Sequence, residues 1–166
     1  EFIPLITPEE EERMNKQDFP KELSILPLRN NVLFPGVVIP TTVGRDKSIK
    51  LIQDANKGDK IIGVVSQKNQ DEESPEFADL HEVGTVAQIV RMLRMPDGST
   101  TAIIQGKRRF KVVKPIQTEP YMKAQVKYLT EKKFDKNAPE MDIMFKSIRE
   151  QALQIIRDSP NIPTEA

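Results

Sequence analysis

The sequence contains no cysteine and no tryptophan, and it has one histidine among 166 residues. Without cysteine, disulfides, thiolate-held zinc and cysteine nucleophiles are excluded. That absence also agrees with a reducing compartment. Neither sign of charge is in excess, since 25 Lys and Arg stand against 25 Asp and Glu. The chain therefore lacks the net basic field of a dedicated nucleic-acid binder. Long apolar runs are missing too: none approaches the ~20 residues of a membrane span, and there is no signal-peptide core. A soluble, intracellular protein is expected. The chain opens without Met and closes on Ile162–Ala166 without a clear stop, which suggests a piece of a longer protein, with Glu1 and Phe2 compatible with a cloning remnant.

This length suits one domain, or a small domain with an appendage. Such a body buries about two thirds of its unfolded surface and needs no covalent or metal staple. The stretch Pro27 to Pro40, PLRNNVLFPGVVIP, organises the first half. Apolar runs at Leu23–Leu28 and Val37–Val43 flank a connection holding Arg29, Asn30, Asn31, Pro35 and Gly36, residues that punctuate turns. Val32, Leu33 and Phe34 lie inside that connection, where a plain solvent loop would be polar. The stretch is either a folded-in corner or a contact surface. Pro27 and Pro40 remove ladder donors, so their strands are expected at edges or breaks.

Residues 1–21, with the acidic cluster Glu9–Glu12, read as a flexible leader. Ile49, Ile52 and Ala55, with Leu51 beside them, predict a helix over Asp46–Lys57 with Gly58 as its stop. Lys60–Gln67 is apolar on both faces and predicts a buried strand. The segment from Lys68 to Asp79 is polar loop chemistry. Val83–Met95 and Thr100–Gln105 flank Pro96-Asp97-Gly98-Ser99, a strong hairpin signal. Two further strands are expected at Phe110–Gln117 and Lys123–Leu129. About seven short strands and a single crossover helix favour a compact barrel or a pair of sheets. Residues 131–166 form a polar linker and then an amphipathic helix over Pro139–Asp158. Its stripe of Met141, Phe145, Ile148, Ala152 and Ile155 needs a partner surface, and Ser159-Pro160 ends it. That helix either lies back on the strands or begins a helical region.

The catalytic inventory is poor. His81 has no ligand spacing around it, Ser66 and Lys68 lack any sign of an oxyanion hole, and no phosphate loop is present. The run Lys107, Arg108, Arg109 with Lys111 and Lys114 is either a phosphate-facing edge or, with only Phe110 interleaved, a set of charges guarding a strand. The segment Arg91 to Pro96 at the hairpin end places apolar residues on both faces. Leu93 and Met95 either pack under a loop or form an exposed patch suited to partner contact.

Several segments, in order, resemble the N-terminal domain of Lon-type ATP-dependent proteases. They are Leu26-Pro27-Leu28-Arg29-Asn30 with Phe34-Pro35-Gly36 and Pro40, Val43-Gly44-Arg45, and Asp79 through Ala87. Leu93 through Gly98, Gly106 through Phe110 and Pro120-Tyr121 continue the series. The likeness covers most of Leu23–Leu129. It implies a mainly β fold with helices (α+β), a PUA-like pseudo-barrel of about six or seven strands spanning 22–130 with one crossover helix, then an amphipathic helix. It also implies that the ATPase module, with ATP and Mg, and a Ser-Lys protease site lie outside these residues, in a hexameric parent of the bacterial cytoplasm or the mitochondrial matrix.

The function expected of this piece is binding without catalysis. A misfolded or degron-bearing protein exposes apolar segments, and a receptor with a modest apolar patch selects them. Six copies on a ring would make weak contacts sufficient. Phe34, Pro40, Met92, Leu93 and Met95 are the expected substrate-binding residues, with no cofactor or metal in the fragment. Two alternatives stand beside this: a PUA-like nucleic-acid module using the basic run, and a structural element that oligomerises through the last helix.

Overall fold

The computed structural model describes residues 17–96, 99–130 and 139–158. The Glu9–Glu12 leader, the Asp97-Gly98 turn, the 132–138 linker and the Ser159-Pro160 helix end lie outside the described residues. The chain divides into two compact units, Glu1–Thr130 and Glu131–Ala166. The first contains β1 (Glu22–Leu28), β2 (Val38–Val43), α1 (Asp46–Lys57), β3 (Ile61–Ser66), β4 (Val83–Arg94), β5 (Thr100–Gln117) and β6 (Lys123–Tyr128). The class is mainly β, as expected.

One expectation needs correction, because Thr100–Gln105 and Phe110–Gln117 belong to a single strand, β5. Gly106 lies in the gap between those two expected strands. In the structure it is a point of close approach, where a Cβ would come 2.2 Å from the Phe34 carbonyl oxygen. Glycine inside a strand commonly marks such an approach of another backbone.

The strand order is β2-β5-β4-β3-β1-β6, and β6 also pairs with β5. The pairings of β1, β3, β4, β5 and β6 thus run in a cycle. Along one edge β5 keeps β4 as its partner from Thr100 to Lys111. Along the other it pairs with β2 over Thr100–Gln105 and with β6 over Phe110–Gln117. Strands β1 and β3 are parallel, and α1 lies in the crossover that a parallel pair requires.

β3 is buried on both faces, as its continuous apolar run predicts. Ile62 and Val64 join one core cluster with Leu26, Leu28, Leu51, Ile52 and Ile104. Val65 joins a second with Leu23, Ile25 and Phe110. Each fully buried side chain of this size contributes about 1.5–3 kcal/mol relative to exposure. α1 buries Ser48, Leu51 and Ile52, and Gly58 donates back to the carbonyls of Asp54 and Ala55. The left-handed residue after the helix is Lys60, with φ 62°, so Gly58 ends the helix without making that turn.

The 68–79 loop is closed at its neck. Lys68 N–H donates to Asp79 O at 2.8 Å, and His81 N–H donates to Ser66 O at 3.0 Å. Ahead of β1, the Phe19 ring lies 5.8 Å from that of Tyr128, and Val126 N–H donates to Lys21 O at 2.8 Å. In the second unit, α2 (Pro139–Asp158) leaves Ile143, Met144, Phe145, Ile148 and Ile155 exposed. No described helix is long and apolar enough to cross a membrane.

Candidate substrate-contact surface

The 29–37 corner is held down by its backbone. Gly36 N–H donates to Gly106 O at 2.8 Å, and Gly106 N–H donates to Val37 O at 2.9 Å. Two hydroxyls add to this: Thr85 Oγ1 donates to Leu33 O at 2.6 Å and Ser66 Oγ to Asn31 O at 2.7 Å. Each such bond is worth about 1 kcal/mol net. Gly36 takes φ 82°, which glycine adopts without Cβ strain. Leu33 is buried in the core beneath, while Val32 and Phe34 are 58% and 59% exposed. The corner is therefore both folded in and a source of exposed apolar surface.

Residues directly opposite in neighbouring strands share a face of the sheet. Pro40 opposes Ile103, which opposes Arg91; Thr42 opposes Thr101, which opposes Leu93. These rows form the outward face of β2, β5 and β4, whereas Thr41, Ala102 and Met92 form the inward one. Met92 accordingly packs against the first core cluster. Pro40 and Leu93 lie on the same outward face, roughly 12 Å apart by strand spacing and rise. Leu93 is 39% and Met95 42% exposed, and Met95 N–H donates to Ser99 O at the hairpin end. Phe34 sits by Gly106, roughly 17 Å along the strand direction from Leu93. Of the five expected residues, the sheet brings Pro40 and Leu93 onto one face with Met95 at its end, turns Met92 inward and sets Phe34 at the opposite end.

Val90 was not among the expected residues, yet it is 57% exposed beside Arg91. The register between β4 and β5 shifts between Ile89 and Arg91, and the extra residue turns out of the alternation. The sequence Ile89-Val90-Arg91-Met92 carries no mark of that shift. Val113 and Ile116, near two further register shifts, are exposed for the same reason.

The basic run is largely engaged within the fold. Lys107 Nζ donates to Gln105 at 2.7 Å, and burial holds its ammonium below the ordinary lysine value. Arg108 donates to Leu129 O at 3.1 Å and lies over the Tyr128 ring. Tyr128 donates to Pro20 O at 2.6 Å, and burial pushes its phenol up to about 12, against a smaller opposing effect of Arg108. Lys111 pairs with Glu82 at 2.9 Å. Ser66 and Lys68 are likewise used in the scaffold, bonding Asn31 O and Ala78 O. Among the described residues, no group of three or more acidic, His or Cys side chains could hold a metal.

Two clefts meet beside α1. One, of about 450 Å³, is lined by Pro27, Arg45, Leu51, Glu73, Glu119 and Tyr121 among others. Across it Lys47 pairs with Glu119. The second, of about 430 Å³, runs between Pro27–Asn31 and Pro40–Arg45. Arg45 Nη2 donates to Gln67 Oε1 at 2.9 Å and to Glu72 O at 3.1 Å, tying the start of α1 to the acidic loop.

Comparison with known proteins adds the following. A family model described as "ATP-dependent protease La (LON) substrate-binding domain" matches residues 22–165. A Lon protease of Flavobacterium johnsoniae is 57% identical over all 166 residues, which span 20% of that protein. One from Cytophaga hutchinsonii is 53% identical over the same span, again 20% of its length. The chain therefore covers about a fifth of these relatives. The N-terminal domain of Mycobacterium avium complex Lon protease has TM-score 0.64 at 18% identity, over 82% of this chain and 68% of that one. The Lon N-terminal domain protein of Xanthomonas campestris has TM-score 0.61 at 19% identity, over 84% and 83%. At such identity these two establish the fold.

Proposed function

The chain belongs to the family of Lon substrate-binding domains, and on that premise we propose that it captures unfolded, damaged or degron-bearing proteins through their exposed apolar segments. The observation that carries this reading is the row of exposed or half-exposed apolar residues Pro40, Val90, Leu93 and Met95 along one side of β2, β5 and β4. Native proteins bury such segments, so an apolar patch distinguishes unfolded chains from folded ones without reading a sequence. The fragment binds and does not catalyse. ATP and Mg act in the remaining part of a longer protease, a hexamer of the bacterial cytoplasm, whose ring multiplies weak contacts into retention.

The test replaces Leu93 and Met95 with Ser. Both are partly exposed, so the loss of apolar contact falls on binding: capture of an unfolded model protein weakens roughly tenfold, while the melting temperature holds. A melting temperature that falls by more than about 8 °C would assign these residues to the core instead, and unchanged capture would remove them from the contact surface.

A further inference from the structure

The groove between the end of β1 and β2 differs in charge from the cleft beside it. Its lining holds Arg29 and Arg45 and no carboxylate, along with Pro27, Leu28, Pro40 and Thr41. Glu72 and Glu73 of the 68–79 loop act on Arg45 as opposite charges, and Glu73 lines the neighbouring cleft together with Asp46. Arg45 bonds an amide oxygen and a main-chain carbonyl there, neither of which neutralises it. Arg29 is exposed and has no hydrogen bond or ion pair among the described residues. Thr41, which is 8% exposed, carries the one buried side-chain polar atom among the described residues that lacks a partner. Pro40 belongs both to this groove and to the outward apolar face.

We propose that this groove takes an acidic side chain from an extended segment of the captured protein, its carboxylate lying between the guanidiniums of Arg29 and Arg45. The proposal rests on the capture reading above and adds a charge preference to it. Arg45 is held below its ordinary value first by burial and then by the like charge of Arg29, with Glu72 and Glu73 acting the other way, and a carboxylate between the two guanidiniums offsets their mutual repulsion. Arginine suits the task because its planar fork meets a carboxylate through paired donors. The edges on either side are spaced by prolines at Pro27 and Pro40, each without an N–H to offer. The groove therefore reads side-chain charge more than main-chain amides. A segment whose apolar residues lie along Leu93, Ile103 and Pro40 would reach this groove next.

The experiment uses the 166-residue chain and fluorescence anisotropy with a short labelled Val/Thr peptide carrying a pair of Asp, beside its Asn analogue. The Asp peptide binds about fivefold more tightly at low salt, the scale of an exposed ion pair, and the advantage fades at high salt. Arg29→Glu removes the advantage or reverses it without lowering the melting temperature, since Arg29 is exposed and has no hydrogen bond or ion pair among the described residues. Arg45→Lys keeps the charge and retains part of the preference. Equal binding of the two peptides overturns the charge preference while leaving apolar capture intact; binding of neither overturns both. Displacement of the Asp peptide by oligouridine, with no displacement by a second acidic peptide, would assign the groove to nucleic acid and overturn the peptide assignment.

Discussion

Replacing Gly106 with Ala tests how the corner is fastened. The added methyl would stand 2.2 Å from the Phe34 carbonyl oxygen, 3.0 Å from the Phe34 carbonyl carbon and 3.2 Å from Leu33 Cγ. The first two are main-chain atoms, so no side-chain rotation relieves the clash. Either β5 bulges or the corner lifts, and lifting breaks the paired bonds of Gly106 with Gly36 and Val37. Overpacking of this kind costs about 1–3 kcal/mol, and each lost backbone bond adds about 1 kcal/mol. With both bonds lost the expected total is about 3–5 kcal/mol, measured by urea denaturation and as a fall in melting temperature. Gly44→Ala is the matched control, because nothing lies within 4 Å of its added Cβ. If Gly106→Ala unfolds within about 0.5 kcal/mol of the Gly44→Ala variant, the close approach is not fixed and the reasoning fails. Hydrogen exchange at the Gly36 and Val37 amides reports separately whether the corner has lifted.

Two more outcomes follow from features already described. Burial pushes the Tyr128 phenol up to about 12 from an ordinary 10.0. A raised phenol contributes stability that is complete below pH ~10 and lost as pH rises toward ~12; in Tyr128→Phe that alkaline loss shrinks, and an unaltered alkaline melting profile would refute the assignment. The exposed apolar stripe of α2 predicts concentration-dependent association of the 166-residue chain in sedimentation velocity, absent from a chain ending at Thr130. Identical monomeric behaviour of both chains would count against α2 as an assembly element.

Much of the fold was legible in local pattern. Ile61 to Val65 announced a strand buried on both sides, Pro40 marked an edge, and the stripe of Ile49, Ile52 and Ala55 placed α1. The exceptions share a cause, which is contact between residues far apart in the chain. Gly106 lies in a gap between two expected strands until Phe34 is brought against it, and Val90 looks like an ordinary alternating residue until the register shift turns it out. Met92 and Leu93 are adjacent and similar in polarity; only the pairing with Ala102 and Thr101 decides that one faces the core and the other faces out. The charged groove was equally hidden, because Arg29 and Arg45 are separated in sequence by all of β2.

The start of β1 and the end of β6 lie side by side. β1 starts and β6 finishes at the same end of an antiparallel pair, with Glu22 opposite Gln125 and Val126 bonded to Lys21. A pull applied between those ends meets the ladder as a zipper: the Phe19–Tyr128 contact and the Tyr128 to Pro20 bond carry the load first, then the Val126 to Lys21 bond, and the rest follow one at a time. The domain is mechanically weak in that one direction. A pull along β5, anchored by β4 on one edge and by two other strands on its opposite edge, must shear many bonds at once.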